Sequence, residues 1–234
     1  MSFEGNRIVV IIPALNEEKS ISKVVNSIPN IVDEIIVINN GSDDSTAIKA
    51  SISGAKVIHE YRKGYGYACL KGIDYLNKNP PDIVVFLDGD YSDYPEDLEA
   101  IIKPILEKNM QFVIGARVKF LREKGALTPQ QIFGNTLACL LMRLLYKANF
   151  TDLGPFRAIG WKNLVALEMS DKTYGWTIEM QLKVLRRKIK YIEVPVRYRK
   201  RIGYSKVSGT VKGTIMAGYK ILTWIGKFYF SKWK

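Results

Sequence analysis

Five short apolar runs, separated by stretches of helical periodicity, constrain the fold of this chain more than any other feature. Each run is rich in β-branched residues and stops at polar or turn-forming ones: Arg7–Ile12, Glu34–Ile38, Ala55–His59, Ile83–Leu87 and Gln111–Ala116. Runs that are apolar at successive positions are typical of strands buried on both faces of a sheet. The pattern therefore predicts an α/β fold with a mostly parallel central sheet flanked by helices.

The connecting segments have the spacing of amphipathic helices. In the first half of the chain, helices are predicted over Lys19–Ile28, Ser45–Ser51, Tyr67–Leu76 and Glu96–Glu107. In the second half the pattern predicts helices over Pro129–Tyr146 and Thr177–Arg187, an irregular segment over Thr151–Ile159 and a strand over Tyr191–Tyr198. In sheets of this type ligands bind beyond the carboxyl ends of the strands. We therefore expect the chemistry in the loops after the first, second and fourth strands.

The composition of the chain indicates its kind of binding partner and its location in the cell. The chain has 35 Lys and Arg against 23 Asp and Glu, a formal net charge of +12, which favours anionic partners such as phosphates, acidic lipids or nucleic acid. Cys69 and Cys139 lack metal-binding spacing and fit free thiols in a reducing compartment. No apolar run reaches the ~18 residues of a spanning helix, and no secretory signal is present. The expected location is cytoplasmic, in solution or peripheral on the cytoplasmic face of the membrane.

The strongest local signal is the tripeptide Asp88-Gly89-Asp90, which follows the fourth predicted strand. Two carboxylates on either side of a glycine can approach one point in a turn. Hard cations such as Mg²⁺ take oxygen ligands and often join protein carboxylates to substrate phosphates. A solvated turn is the alternative, because Asp and Gly are ordinary turn residues. The position at a strand end favours the metal site.

Three further loops carry weaker signals. Pro13–Glu18 follows the first strand and Asn39–Thr46 follows the second. Their polar groups could meet a nucleotide, or they could be helix caps and turns alone. Arg62–Tyr67 follows the third strand, and its two glycines and two cations could meet a diphosphate, although the glycine spacing matches no P-loop or dinucleotide motif. His59, just before this loop, is interpreted as structural.

Together these segments resemble the family 2 glycosyltransferases of the GT-A fold, and within them the dolichyl- or polyprenyl-phosphate mannosyl- and glucosyltransferases. The matching segments, in the family's order, are Ile11–Glu18, Val37–Thr46, Lys63–Gly66, Asp88–Asp90, Gly115–Arg117, Thr151–Ala158, Thr177–Met180 and Glu193–Val196. The resemblance implies a GT-A domain over residues 1–210, with a Rossmann-like nucleotide-sugar-binding half to about residue 117 and an acceptor-side half over 118–210. It also implies Mg²⁺ or Mn²⁺ as the cofactor. Residues 211–234 follow this domain, and their helical spacing predicts a C-terminal amphipathic helix.

The resemblance further implies roles for individual residues. Asp88 and Asp90 would bind the metal, with Asp88 also near the sugar or ribose, and Asp152 and Glu179 would lie on the acceptor side as candidate general bases. The other predicted substrate- and nucleotide-binding residues are Pro13, Leu15, Glu17, Asn40, Lys63, Arg117, Arg157, Arg199 and Lys206. A phosphate acceptor is already an anion, and for it the arginines of this set matter more than a base.

The chain departs from the family pattern in three places. Asn39-Asn40 replaces the usual acidic pair, which leaves the base of the donor open. Ser92 stands where the lipid-phosphate mannosyltransferases often have a metal-binding glutamine, so that the third ligand would be Ser92, Asp93 or water. Gln130-Gln131 occupies a region where those enzymes often carry arginines for the acceptor phosphate.

Lys212–Phe230 is predicted to be an amphipathic helix. Lys212, Lys220, Thr223 and Lys227 share one face at helical spacing, and aromatic and aliphatic residues fall mostly on the other. Such a helix can lie in a membrane interface, where Lys232 and Lys234 would add attraction to anionic lipids. A terminal helix packed on the core has the same pattern.

The resulting hypothesis is an inverting glycosyltransferase that moves a hexose from a nucleoside diphosphate sugar, of the GDP-mannose or UDP-glucose type, to polyprenyl or dolichyl phosphate. A non-lipid hydroxyl acceptor is the alternative within this class. A nucleotidylyltransferase fits less well, because Pro13–Glu18 is acidic where that class has a Gly-rich basic loop. A nucleic-acid-binding protein is suggested by charge alone, without finger spacing, an RNP-like motif or basic repeats.

Overall fold

A seven-stranded sheet with helices on both faces forms the centre of the molecule. The computed structural model describes residues 5–204 and 211–231, so the predicted binding residue Lys206 lies outside the described residues. The strands are β1 Ile8–Ala14, β2 Glu34–Asn39, β3 Lys56–His59, β4 Ile83–Phe86, β5 Phe112–Ala116, β6 Arg157–Gly160 and β7 Tyr191–Pro195. The helices are α1 Ile21–Ser27, α2 Thr46–Ile52, α3 Tyr65–Leu76, α4 Leu98–Glu107, α5 Pro129–Tyr146, α6 Trp161–Ala166, α7 Trp176–Arg186 and α8 Val211–Phe230.

The strand order is β3-β2-β1-β4-β6-β5-β7, and only β6 runs antiparallel to its neighbours. The prediction of a mostly parallel sheet flanked by helices is therefore confirmed. The prediction of an irregular segment over residues 151–159 is wrong at its end, where β6 begins at Arg157. β6 follows Gly154-Pro155 and reads Arg-Ala-Ile-Gly, so it lacks the run of β-branched residues by which the other strands were predicted.

Both faces of the sheet are buried, and β1 shows how. Its odd-numbered residues Val9 and Ile11 pack into one apolar cluster with residues of α3 and α7. Its even-numbered residues Ile8, Val10 and Ile12 pack into a second cluster with residues of α1 and α4. Because side chains of a strand alternate between the faces of a sheet, an apolar residue is needed at every position. This accounts for the uninterrupted runs in the sequence.

One edge of the sheet collects the polar loops. The carboxyl ends of the parallel strands β1, β2 and β4 all point to this edge. Since β6 is antiparallel and pairs Arg157 with Phe86, the segment that leads into β6 comes to the same edge from the second half of the chain. The two halves of the chain therefore meet where ligands bind in folds of this kind.

Helix α8 packs on the body of the protein and also exposes apolar residues. Ile225 and Phe228 are buried, and the Tyr146 hydroxyl of α5 donates a hydrogen bond to the Ile225 carbonyl. On the outer side Tyr219 and Phe230 are largely exposed. The predicted helix is confirmed, with a core-facing side and an apolar outer side. Within the described residues no helix is both long and apolar enough to cross a bilayer.

Candidate active site

A cavity of about 530 Å³ opens at the edge of the sheet where the parallel strands β1, β2 and β4 end. Many of the predicted binding and metal-binding residues line it: Pro13, Leu15, Glu17, Asn40, Lys63, Asp88, Asp90 and Arg117. The second half of the chain supplies the opposite wall, including Gln131, Tyr174, Trp176, Tyr198, Arg201 and Ala217. The cavity is therefore shared by both halves, and α5 and α8 each contribute a residue to it.

Two carboxylates face the cavity at the end of β4. The Asp88 Oδ1 atom accepts a hydrogen bond of 3.0 Å from the Tyr65 hydroxyl. Burial, and after it the charge of Asp90, raises the pKa of Asp88 to about 6. The Asp90 Oδ1 atom accepts from the Ser92 amide and hydroxyl at 2.8 and 2.6 Å, and Oδ2 forms an ion pair with Arg201. The predicted proximity of the two acids to a cavity is thus observed.

A third acid, Asp93, lies three residues after Asp90 in the same loop. Its side chain is buried, and neither carboxylate oxygen has a hydrogen-bond partner among the described residues. Burial raises the pKa of Asp93 well above its usual value, and the charges of Asp88 and Asp90 add to the effect. An unpartnered buried carboxylate is costly. The loop after β4 therefore brings three acids together, and their burial and mutual repulsion disfavour the ionised form of Asp93.

Arg117, at the end of β5, is the main cation of the cavity wall. Its Nε and Nη2 atoms donate to the two carboxylate oxygens of Asp152 at 2.8 and 2.6 Å, and its backbone amide donates to Oδ2 at 2.8 Å. Burial opposes ionisation of both groups, but their attraction raises the pKa of Arg117 and lowers that of Asp152. Asp152 thus has both oxygens in hydrogen bonds and has low basicity. These properties suit a residue that orients Arg117, and they do not suit a general base.

Glu179 does not reach the cavity, and its surroundings do not fit the predicted role of general base. The side chain is fully buried in α7. Its Oε1 atom accepts from the amide and hydroxyl of Ser170 and pairs with Lys183, and Oε2 accepts from the Asp171 amide. Glu179 therefore holds the start of the 170–175 loop, which carries two cavity residues, Thr173 and Tyr174.

Arg157 is likewise turned inward, contrary to its predicted role in binding phosphate. The guanidinium is fully buried and donates to the carbonyls of Leu153, Gly154 and Thr177. Burial lowers the pKa of Arg157 to about 10. Its hydrogen bonds tie the segment before β6 to α7, and the buried guanidinium is not among the residues that line the cavity.

Arg199 also lies away from the cavity lining. It stacks on the rings of Tyr91 and Tyr94, with its guanidinium carbon 3.3 and 4.0 Å from the ring centroids. Arg201, two residues later, is the arginine of this segment that lines the cavity. The sequence identified the basic segment, but the alternation of side chains along it could not be read without the structure.

Asn40 lines the cavity and at the same time builds the loop after β3. Its Nδ2 atom donates to the carbonyls of Glu60 and Arg62 at 3.1 and 2.8 Å, and its Oδ1 atom accepts from the Gly64 amide at 2.8 Å. This arrangement needs both a donor and an acceptor, which an amide has and an ionised carboxylate lacks. The replacement of the family's acidic residue by asparagine is thereby explained in structural terms.

The glycines of the same loop serve packing against the protein itself. A Cβ atom at Gly64 or Gly66 would collide with the backbone carbonyls of Lys172 and Asp171. The Lys172 carbonyl accepts a hydrogen bond of 3.1 Å from the Tyr67 amide at the start of α3. The expectation that these glycines admit a diphosphate is not supported by these contacts, whereas Lys63 beside them does line the cavity.

Two aromatic residues of the site carried no signal in the sequence. Tyr65 is the hydrogen-bond donor to Asp88, and Trp176 lines the cavity with its ring edge against Phe86, the centroids being 5.9 Å apart. Aromatic residues near a glycine or at a helix start are common in cores, so neither position could be assigned to the site from spacing alone.

Comparisons with known proteins identify the family of this chain. The family model described as glycosyl transferase family 2 matches residues 9–167. The chain belongs to glycosyl transferase family 2. Among its relatives are a UDP-N-acetylglucosamine–dolichyl-phosphate N-acetylglucosaminyltransferase of Methanococcus voltae, 31% identical with 92% of each chain covered, and an undecaprenyl-phosphate mannosyltransferase of Micrococcus luteus, 27% identical with 88% of this chain and 90% of the relative covered.

Among solved structures, the chain resembles glucosyl-3-phosphoglycerate synthase from Mycobacterium tuberculosis in complex with Mn²⁺, uridine diphosphate and phosphoglyceric acid. The TM-score is 0.77 at 24% identity, and the match covers 97% of this chain and 80% of the other. This likeness confirms the predicted GT-A fold. Family membership makes the chain a glycosyltransferase and sets aside the nucleotidylyltransferase and nucleic-acid-binding alternatives.

Proposed function

We propose that this protein transfers a hexose, with inversion, from a nucleoside diphosphate sugar to a polyprenyl or dolichyl phosphate. The observation that carries the proposal is the shared cavity, in which the carboxylates Asp88 and Asp90 face the cations Lys63, Arg117 and Arg201. An acidic pair suits a divalent cation and cations suit phosphate oxygens. A GDP-mannose or UDP-glucose type of donor fits this combination.

The donor set fits Mg²⁺ or Mn²⁺. Asp88, Asp90 and Asp93 place three carboxyl groups in one loop, and a bound cation would relieve the burial and mutual repulsion that raise the pKa of Asp88 and Asp93. The described residues contain no cluster of three or more His, Cys, Asp or Glu side chains arranged to hold a metal ion. Oxygens of the diphosphate and water would therefore complete the coordination, as is usual for Mg²⁺. A bound cation would offset the charge that develops on the departing nucleoside diphosphate.

A phosphate acceptor is favoured by the state of the two acids predicted as general bases. Both oxygens of Asp152 are taken by Arg117, and Glu179 is buried and fully hydrogen bonded. A hydroxyl acceptor needs a base to remove its proton, whereas a phosphate oxygen attacks as an anion. Arg117 and Arg201 would then orient the two phosphate-bearing substrates in the cavity. The relative from Methanococcus voltae, named for a dolichyl-phosphate substrate, gives independent support.

A non-lipid acceptor is the second candidate. The solved structure of glucosyl-3-phosphoglycerate synthase contains phosphoglyceric acid, a small phosphorylated acceptor. An acceptor of that kind would also use cations in the cavity wall. The two candidate acceptors therefore differ in the group attached to the phosphate. The acceptor assay below is designed to do so.

Peripheral membrane association follows from the lipid acceptor. Apolar side chains are exposed on α5 and α8, with Phe133 70%, Leu144 69%, Tyr219 65% and Phe230 83% accessible. The rings of Tyr146 in α5 and Tyr229 in α8 pack edge to face at 6.3 Å, which joins the two helices. An apolar surface of this kind, on a chain with net charge +12, suits the interface of an anionic bilayer.

The first experiment measures thermal stabilisation by UDP-glucose, UDP-N-acetylglucosamine and GDP-mannose, each with and without Mn²⁺. The preferred donor raises the melting temperature because ligands that bind the native state stabilise it. Asp90→Ala should abolish the Mn²⁺-dependent part of the shift, whereas Asp43→Ala, at an exposed position after β2, should leave it intact. An unchanged shift in Asp90→Ala would remove Asp90 from the metal site.

The second experiment supplies acceptors to the enzyme with its preferred radiolabelled donor. Undecaprenyl phosphate in phosphatidylglycerol vesicles should become labelled, with release of nucleoside diphosphate, and 3-phosphoglycerate in solution should not. Labelling of phosphoglycerate alone would replace the lipid acceptor by the second candidate. Release of pyrophosphate would contradict sugar transfer altogether.

A further inference from the structure

The residue that follows Asp90 has an unusual backbone conformation. Tyr91 has φ of +65°, in the left-handed region that bulky residues rarely adopt. Such conformations persist where surrounding contacts enforce them, and they cluster at functional sites. The contacts around Tyr91 therefore bear on how the Asp88–Asp90 loop is held.

Arg199 contacts both the backbone and the ring of Tyr91. Its Nε atom donates to the Tyr91 carbonyl at 2.7 Å, and its Nη2 atom donates to the Asp93 carbonyl at 3.2 Å. Its guanidinium plane also stacks on the Tyr91 ring, 3.3 Å from the centroid. One side chain thus holds the loop on both sides of Ser92. The planar, forked donor group of arginine suits this task, and the single ammonium of lysine does not.

The backbone of the same segment is fastened to the same loop. The Arg199 amide donates to the Ser92 carbonyl at 2.9 Å, and the Ile202 amide donates to the Asp90 carbonyl at 3.0 Å. Tyr198 forms an isolated bridge with Asp93. Residues 198–202 therefore run beside residues 90–93. The side chains of Arg199 and Arg201 both join the two segments, Arg199 at the backbone and Arg201 at the Asp90 carboxylate.

We propose that Arg199 is a positioning residue for the metal and the diphosphate. By holding Tyr91 in its left-handed conformation, Arg199 fixes the direction in which the Asp90 carboxylate faces the cavity. This inference rests on the proposed function, because it assumes that Asp90 binds a divalent cation. It replaces the expectation that Arg199 contacts phosphate itself.

Arg197 offers a matched control in the same segment. Its guanidinium pairs with Asp97 and stacks on the Tyr94 ring at 4.5 Å, so it resembles Arg199 in charge, length and aromatic contact. Its described side-chain partners lie in residues 94–97, beyond the 90–93 loop. Loss of Arg197 should therefore leave the metal site unchanged.

The test is titration of Mn²⁺, with free Mn²⁺ read from its electron paramagnetic resonance signal, in the presence of UDP or GDP. Arg199→Met should weaken Mn²⁺ binding about 10- to 100-fold, as loss of a residue that orients metal ligands typically does. The Mn²⁺ affinity of Arg199→Lys should lie between those of Arg199→Met and wild type, and the Mn²⁺ affinity of Arg197→Met should match that of wild type. At saturating Mn²⁺, Arg199→Met should regain most of its kcat.

A double variant separates positioning from general loss of folding. Glycine adopts positive φ without help, so Tyr91→Gly combined with Arg199→Met should recover part of the Mn²⁺ affinity that Arg199→Met loses. Wild-type affinity in Arg199→Met, or no recovery in the double variant, would overturn the inference. If wild type itself binds no Mn²⁺ with either nucleotide, the proposed metal-dependent function fails along with it.

Discussion

The two halves of the chain, which we propose as the donor side and the acceptor side of the cavity, use their polar residues in different ways. On the donor side, Asn40, Asp88 and Asp90 sit at the ends of parallel strands and face the cavity directly. On the acceptor side, Asp152, Arg157 and Glu179 are buried and bind other parts of the protein. The difference teaches that a polar motif lines the cavity in one half of the chain and forms part of the framework in the other.

The cause lies in the direction of the strands. Parallel strands such as β1 and β4 end at the cavity, so the residues that follow them emerge into it. β6 runs the other way, and the segment leading into it must be tied down before it enters the sheet. Buried charges and donors at residues 152–157 serve that purpose. Substitutions should therefore affect stability on the acceptor side and activity on the donor side.

The largest effect is expected at the junction between the two walls. Arg117→Met leaves the Asp152 carboxylate buried without its partner, and the exposed fractions of the two side chains are only 12% and 7%. Removal of one member of a buried pair costs about 3–5 kcal/mol of unfolding free energy. Urea denaturation measures this loss. Adding Asp152→Asn should restore part of it, and wild-type stability in Arg117→Met would contradict the framework role.

On the donor side Asp88→Asn should separate activity from stability. Loss of a carboxylate that helps to hold a metal should lower kcat/KM about 100- to 1000-fold, or about 3–4 kcal/mol. At pH 8 without metal the same variant should be more stable than wild type. Burial and the neighbouring Asp90 disfavour the ionised Asp88, as its raised pKa indicates. A loss of stability in Asp88→Asn would contradict the expectation that substitutions in this half of the chain affect activity and not stability.

Asn40→Asp tests whether one residue can both line the cavity and hold the loop after β3 in place. A carboxylate oxygen would replace the Nδ2 atom and face the carbonyls of Glu60 and Arg62. Leaving these carbonyls without a donor should cost about 1–3 kcal/mol of unfolding free energy. Asn39→Asp is the matched control, since the His59 Nδ1 atom beside its Nδ2 atom acts as donor or acceptor according to the tautomer. Equal losses in both variants would refute the explanation.

The smallest effect is expected at Glu60, next to the same loop. Its side chain accepts hydrogen bonds from Arg62, and these lower the pKa of Glu60 from 4.5 to about 2, against an opposing effect of burial. Because the folded-state pKa is lowered, the stabilisation is present above pH ~4.5 and is lost as the pH falls towards ~2.

The Arg62 side chain is 67% exposed, so screening should keep the loss in Glu60→Gln below about 1 kcal/mol at pH 7. Urea unfolding at pH 7 and pH 3 would show the difference from wild type shrinking at the lower pH. Asp43→Asn, at an exposed loop position, should show neither loss nor trend. A pH-independent difference in Glu60→Gln would exclude the ion pair as its source.

The sequence predicted the parallel strands and the donor-side residues because both depend on local order. An apolar run followed by Asp88-Gly89-Asp90 places two acids at a strand end whatever the rest of the chain does. The roles of Arg157, Glu179 and Arg199 could not be predicted, because each depends on partners far away in sequence. Arg199, for example, acts on Tyr91 and Asp93, more than a hundred residues earlier.

The crowding at Gly64 and Gly66 has a consequence for mutational scanning. Any side chain there would push away the 171–172 carbonyls and with them the wall that includes Thr173 and Tyr174. A library scored for turnover would therefore rank these glycines as intolerant as Asp88, although they have no chemistry to perform. Intolerance at these positions would report the fit between two loops, and only a separate measurement of abundance would tell it apart from a catalytic defect.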